Sequence, residues 1–287
     1  MLVEGRNPGF RMRTKQRGMG RLTMSLATPE RIQELQRKLY LKAKQEPTYR
    51  FYALYDKVYR WDILVHAYRL AKANGGASGV DGVRFEDIES YGERRFLVEL
   101  RQALQERRYR PDAVLRVMIP KPDGGERPLG IPTIKDRVVQ TAAKLVLEPI
   151  FEADFTENAY GYRPRRSAQQ AVRAVHQGLK AGLVQVVDAD LSKYFDTIPH
   201  AALMRSVSRR ITDGSILHLV KMWLKAPVEE RDDKGTRTRR RTGNRGTPQG
   251  GVLSPLLANI YMRRFLKAWE QCGHDRRFGS PHCQLCR

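Results

Sequence analysis

Apolar residues recur at helical spacing just after Thr28-Pro29, where an N-cap and a proline suited to the first helical position precede Ile32, Leu35 and Leu39 on one face. The period continues through Phe51, Leu54, Tyr55 and Val58, then Leu64, Val65 and Tyr68, and breaks at the run Gly75-Gly76-Ala77-Ser78-Gly79-Val80-Asp81-Gly82. Val114 to Ile119 reads as a strand that enters a polar loop, Pro120 to Pro128, and leaves through Leu129-Gly130-Ile131-Pro132, a hairpin with a basic tip. Helices are predicted from about Asp136 to Glu148, ended by Pro149, and from Ser167 to Leu179 with Ala168, Ala171, Val172, Val175 and Leu179 in phase.

Leu183 to Asp190 is a short apolar run ending in acid, the pattern of a buried strand that delivers carboxylates, followed by a turn over Lys193 to Asp196. Beyond it the spacing predicts a helix over Ile216 to Leu224 and a charged hairpin near Asp233-Lys234-Gly235. A late helix follows, with Leu256, Leu257, Ile260, Tyr261 and Phe265 on one face. No internal repeat is present.

Charge changes this picture. Fifty-three Lys and Arg against 31 Asp and Glu leave +22 on 287 residues, with a pI near 10.3. Phosphate neutralisation dominates non-specific nucleic-acid affinity, so a polyanionic partner with steep salt dependence is expected. The first 26 residues hold Arg6, Arg11, Arg13, Lys15, Arg17 and Arg21 against Glu4, with no apolar period, and read as a basic arm that either contacts phosphate or is simply solvated. No run approaches the roughly 18 apolar residues of a membrane helix, and the amino terminus has no apolar signal core, so no membrane association and a cytoplasmic location are expected. The three cysteines, Cys272, Cys283 and Cys286, all fall at the carboxyl end, which excludes a disulfide framework across the body.

Asp188, Asp190 and Asp196 beside an apolar strand suit a divalent metal, since Mg²⁺ takes hard oxygen ligands, although a polar strand end explains the spacing as well. A second segment, Gly246-Thr247-Pro248-Gln249-Gly250-Gly251, leads into the late helix. Its glycines permit close approach of a backbone or base, and Gln249 supplies both a donor and an acceptor.

Together these segments resemble the metal-binding strand and template-side loop of reverse transcriptases, most closely those of group II intron maturases. Gly79-Val80-Asp81-Gly82, the run from Ile119 through Pro132, and Tyr160-Gly161-Tyr162-Arg163-Pro164 resemble further motifs of that family in its order, over roughly residues 30 to 270. The resemblance implies an α+β right-hand polymerase: fingers with an incomplete palm and no thumb. Its parts are a basic arm (1–27), a fingers-like region (28–182), a partial palm (183–271) and a tail (272–287).

Carried over by position, Asp190 is the first catalytic carboxylate and a metal ligand, and the Leu191 main-chain carbonyl helps ligate the metal. Phe195 resembles the gate that clashes with a ribose 2′-hydroxyl. Lys121 and Arg127 resemble the clamp on the triphosphate, a point charge and a bidentate fork. Gln249 and Gly250 resemble the loop that positions template and incoming base, and Tyr160, Tyr162 and Arg163 the contacts to the template strand. The plain alternatives are a solvated Asp190, a core Phe195, a solvated hairpin and ordinary packing of the tyrosines. The run Arg237, Arg239, Arg240 and Arg241 either follows a nucleic-acid backbone or is a solvated strand.

The implied chemistry is in-line attack of a primer 3′-hydroxyl on the α-phosphorus of a deoxynucleoside triphosphate with two Mg²⁺ ions, and the implied partners are template or intron RNA, a DNA primer and dNTP. The family places a Tyr-Ala-Asp-Asp turn shortly after the late helix, and this sequence has none. Pro281 to Arg287 and a stop can be written CCG-CAT-TGT-CAA-CTA-TGC-CGA-TGA, which shifted by one nucleotide reads Arg-Ile-Val-Asn-Tyr-Ala-Asp and then a codon beginning GA. A frameshift before that turn is therefore expected, with residues from about 272 onward out of frame, weak or absent Mg²⁺ binding and polymerase activity lost. The rival is a small zinc site from Cys272, His274, His282, Cys283 and Cys286. The competing functions are an intron-RNA-binding or splicing-assisting fragment without chemistry, and a degraded product with an exposed sheet edge.

Overall fold

The computed structural model describes residues 26–120, 124–231, 237–248 and 250–273. Its centre is helix α6 (Ile134–Glu152), in which fourteen of nineteen residues are buried, so it is enclosed on all sides rather than amphipathic. Helices α1 (Glu30–Gln45), α2 (Tyr55–Val58) and α3 (Trp61–Asn74) pack against it. Each fully buried side chain such as Val138, Val146 or Ile150 contributes about 1.5–3 kcal/mol of burial free energy. Pro29, expected inside the first turn of α1, is instead its N-cap, a difference of one residue.

Pro149 does not end α6, contrary to the expectation from sequence. A proline cannot donate to the carbonyl four residues earlier, here that of Leu145, and leaving this acceptor bare inside the protein would favour a break. Gln36 of α1 donates its side-chain amide to the Leu145 oxygen at 3.0 Å, so the helix runs on to Glu152.

Helices α4 (Phe85–Tyr91) and α5 (Glu93–Gln105) lead to strand β1 (Val114–Pro120), which forms the expected hairpin with β2 (Glu126–Ile131). Arg137 of α6 fastens the glycine-rich break before α4 by donating to the carbonyls of Gly75, Ala77 and Pro132. Gly79 lies where a Cβ would come within 2.8 Å of the Thr133 backbone, so the Gly-Val-Asp-Gly run is a packing joint at the start of α6.

Helix α7 (Ala168–Lys180) begins where expected, after Ser167, and its start is closed by a capping box between Ser167 and Gln170. After it come α8 (Tyr194–Thr197), α9 (His200–Ser208), α10 (Gly214–Leu224), strands β3 (Val228–Arg231) and β4 (Arg237–Arg240), and α11 (Ser254–Gln271). The strands form one sheet in the order β2-β1-β3-β4, with β1 and β3 parallel and the outer pairs antiparallel. The turn of the charged hairpin, including Asp233-Lys234-Gly235, lies outside the described residues.

Asp213 joins the two sides of the molecule. One carboxylate oxygen accepts from the amides of Ser215 and Ile216 at the start of α10, and the other from those of Leu54 and Tyr55 at the start of α2. A single core containing Ile32, Val138, Leu203 and Leu257 runs across residue 182, and the parallel β1–β3 pairing crosses it too.

Three expectations are corrected. Leu183 to Asp190 is neither a strand nor buried, and the sheet carries none of the candidate acids. Val187 is 91% exposed. A strand exists only where a neighbour's C=O groups accept from its N–H groups and the neighbour's N–H groups donate to its C=O groups, and no described strand pairs with this segment. The apolar face of α7 is in phase as expected, yet only Ala171 is buried and Val172 is 62% exposed. On α11, Leu256, Leu257 and Ile260 face the core, but Leu266 takes the buried position expected of Phe265.

Candidate functional site

The site is assembled where α8 and the segment before α11 are hydrogen-bonded together. The Thr247 amide donates to the Phe195 carbonyl at 2.7 Å, the Gly246 amide to that of Ile198 at 2.9 Å, and the His200 amide to that of Asn244 at 2.9 Å. The His200 ring nitrogen Nε2 lies 2.7 Å from the Gly246 carbonyl oxygen. Gly246, with φ of +90°, sits where a Cβ would come within 2.9 Å of the Asp196 carbonyl oxygen, so no larger residue fits this joint without a shift.

Phe195 is half-buried, with its ring edge-on to Tyr162 at 6.3 Å and to Tyr194 at 6.0 Å. Tyr194 is fixed in turn by its hydroxyl, which donates to the Ala258 carbonyl at 2.8 Å. Tyr162 is exposed and held in the left-handed region at φ of +53°. Its loop is tied to α11 by Asn259, whose side-chain amide donates to the Gly161 carbonyl at 2.8 Å. Asn259 and His200 were not singled out from sequence. The available signal was a polar side chain within an apolar helical face, at Asn259.

Gly250, at φ of +102°, rests directly against the carbonyl of Gly130 and the side chain of Leu129, at the base of the β1–β2 hairpin. The structure therefore brings together Phe195, Tyr162, Thr247 and Gly250. It also connects them to the hairpin on which Arg127 is exposed, three residues from Gly130 and roughly 10 Å along the strand. Lys121 and Gln249 lie outside the described residues. Tyr160 is half-buried, with the Arg166 guanidinium 5.6 Å over its ring.

Arg163 is not available to a template strand. Its side chain is 3% exposed, grips Glu152 in a bidentate pair with its closest contact at 2.6 Å, and gives its remaining donors to the carbonyls of Thr156 and Ala159. It locks the tyrosine loop to the end of α6. On β4, Arg239 and Arg240 are exposed, while Arg237 lies 3.9 Å from Glu229.

Asp188 and Asp190 are exposed on the extended segment, and the Leu191 carbonyl accepts from the Tyr194 amide at 3.2 Å. Among the described residues no cluster of three His, Cys, Asp or Glu side chains is arranged to hold a metal. Two carboxylates on one unpaired segment are a poor fit to a polymerase metal centre, which needs hard oxygen ligands converging from more than one element. Of the residues considered for zinc, only Cys272 is described, and it is exposed and free.

Beneath the site, buried Asp136 accepts from the Tyr109 hydroxyl at 2.6 Å, the Thr133 hydroxyl at 3.0 Å and the Asp112 amide at 2.9 Å. Burial raises its carboxyl above the usual range, against the opposing pull of the Tyr109 hydroxyl, the Asp112 amide and Lys135. Trp223 Nε1 donates to the Tyr109 oxygen at 3.0 Å, so the network spans α5's exit, α6 and α10.

Residues 119–286 match the family described as "Reverse transcriptase (RNA-dependent DNA polymerase)". This chain belongs to that family. Protein YkfC of Escherichia coli (strain K12) is 39% identical to this reverse transcriptase chain over 254 residues, covering 85% of it and 63% of YkfC. Group II intron-encoded protein LtrA of Lactococcus lactis subsp. cremoris is 34% identical over 218 residues, covering 76% of the chain and 35% of LtrA. The mitochondrial nuclear intron maturase 2 of Arabidopsis thaliana is 31% identical over 160 residues, covering 44% and 22%. The expected lineage, group II intron reverse transcriptases and maturases, is borne out by these relatives, of which the chain spans about two thirds at most. The α+β class and partial right-hand architecture agree with the family. Reverse transcriptases generally work with a divalent metal ion.

Proposed function

We propose that this chain supplies the nucleotide- and template-gripping part of a group II intron RNA-directed DNA polymerase with a maturase role. The observation that supports it is the union of Phe195, Tyr162, Gly246 and Thr247 into one hydrogen-bonded and ring-packed unit, with Gly250 docked on the hairpin bearing Arg127. In this reading the Phe195 ring excludes a ribose 2′-hydroxyl, Arg127 and Lys121 hold the triphosphate, and Tyr160, Tyr162, Gln249 and Gly250 support template RNA and the incoming base. Asp190 is the first acid of the catalytic centre and, with the Leu191 carbonyl, would hold Mg²⁺ only once oxygen ligands from another element converge on it. The described acids do not complete that centre by themselves.

A second reading, RNA binding without chemistry, is favoured by the isolation of Asp188 and Asp190 on an exposed segment. RNA-templated primer extension with dNTP and Mg²⁺ separates the two. The assay compares the 287-residue chain, a version continued through the shifted reading frame, and Asp190→Ala in each. Extension abolished by Asp190→Ala supports the polymerase reading. RNA binding that survives Asp190→Ala, with no extension from either version, supports the binding module.

A further inference from the structure

The far end of α6 meets α9 and α11 in a cleft, lined by Asp154, Arg209, Arg210, Arg263 and Arg264, that the polymerase reading does not use. Asp136, beneath the candidate site, and Asp154 are eighteen residues apart along α6 and its end, which places this cleft on the order of 25 Å away. We propose that it is a second phosphate-binding site, which grips the backbone of an RNA strand outside the polymerase cleft. The inference rests on the reading that the chain handles RNA.

The argument is one of uncompensated charge on a rigid frame. Arg210 is buried and forks onto Asp154 at 2.9 and 2.6 Å, and its other donors are taken by the carbonyls of Ala43, Glu46 and Tyr49. Arg263 reaches the same residue, with Nε 2.8 Å from the Asp154 carbonyl and a second nitrogen 3.5 Å from its carboxylate. One carboxylate thus faces two guanidinium groups. Arg209 and Arg264 are exposed on the rim, and among the described residues no carboxylate lies within ion-pairing distance of either. Arg264 only overlies the Tyr261 ring, at 5.3 Å.

The Arg263 guanidinium holds its proton less tightly than usual, first because of burial and then because of repulsion from Arg210 and Arg209, with Asp154 and Glu270 opposing. The ordinary explanation for arginines at a helix end is attraction to the C-terminal dipole, and it covers Arg209 and Arg210 after α9. It does not cover Arg263 and Arg264, which sit in mid-helix on α11. A phosphate diester fits the vacancy in charge, and Arg209 and Arg264 are free to close on it with planar forks.

The test is fluorescence anisotropy of a fluorescein-labelled 20-nucleotide oligo(rU) binding the full 287-residue chain at several KCl concentrations. The comparison is between wild type, Arg209→Ala/Arg264→Ala, and a control with equal charge loss on α3 and α5, Arg69→Ala/Arg94→Ala. Neither rim arginine supports the frame, so circular dichroism should be unchanged. The salt slope of the rim variant is expected to fall by about 1.4, roughly 0.7 for each lost contact to single-stranded RNA, and its affinity near 100 mM KCl by on the order of tenfold. The control should keep most of both. An unchanged slope in the rim variant overturns the site, as does an equal loss in the control. Failure of wild type to bind the RNA at all overturns the site together with the RNA-handling reading.

Discussion

The side-chain amide of Gln36 occupies the Leu145 carbonyl that Pro149, four residues on, cannot bond. A contact between α1 and α6 thereby lets the central helix pass through a proline. Removing the donor leaves a buried acceptor bare, so Gln36→Ala should destabilise the chain by about 1–3 kcal/mol. Pro149→Ala restores an N–H able to reach Leu145, and in that background the cost of Gln36→Ala should largely vanish. Urea melts of the four proteins in this double-mutant cycle measure the coupling, and additive costs would refute the rescue.

Gly250 should tolerate no side chain. An alanine there meets the Gly130 carbonyl in a backbone conformation that L residues avoid, whereas Gly182, at φ of +91°, has open space around it. Gly182→Ala should cost about 1 kcal/mol from conformation alone, and Gly250→Ala about 2–4 kcal/mol with loosening of the hairpin base. Thermal melts and limited proteolysis near residue 130 check this. Equal costs at the two positions would show that the loop does not press on the hairpin.

Asp136 gives the chain a defined pH response. Its folded carboxyl titrates above its unfolded value because of burial, so between the two the folded state binds more protons and stability falls as pH rises. Below the unfolded value near 3.8 both states are protonated and this loss is absent. Asp136→Asn removes the titration. The stability of wild type relative to Asp136→Asn should therefore decline from pH 4 towards pH 7, read by denaturant melts. A difference that is flat or grows with pH would argue against a raised carboxyl.

Segment 183–191 should behave as unpaired backbone. Amides of Gln185 to Asp190 should exchange with solvent at close to unprotected rates, while those of Val138 to Leu147 in α6 are slowed by several orders of magnitude. Hydrogen-exchange mass spectrometry decides this, and protection of the first stretch beyond about tenfold would mean that it has found a partner strand.

Local chemistry was enough to locate much of the molecule. The β1–β2 hairpin, the start of α7 after Ser167 and the apolar stripe of α11 depend on residues close in sequence, and their patterns were legible. The ordered motifs likewise marked the chain as a reverse transcriptase, because each motif is contiguous. The other outcomes depend on distant residues. Pro149 looked like a helix end until Gln36 supplied a donor from 109 residues away. Arg163 looked free for a template until Glu152 enclosed it. Leu183 to Asp190 has the composition of a buried strand, but composition gives a segment only the capacity to pair. Whether it does so depends on a neighbour that presents its own N–H and C=O groups, and among the described residues the tertiary structure places none there.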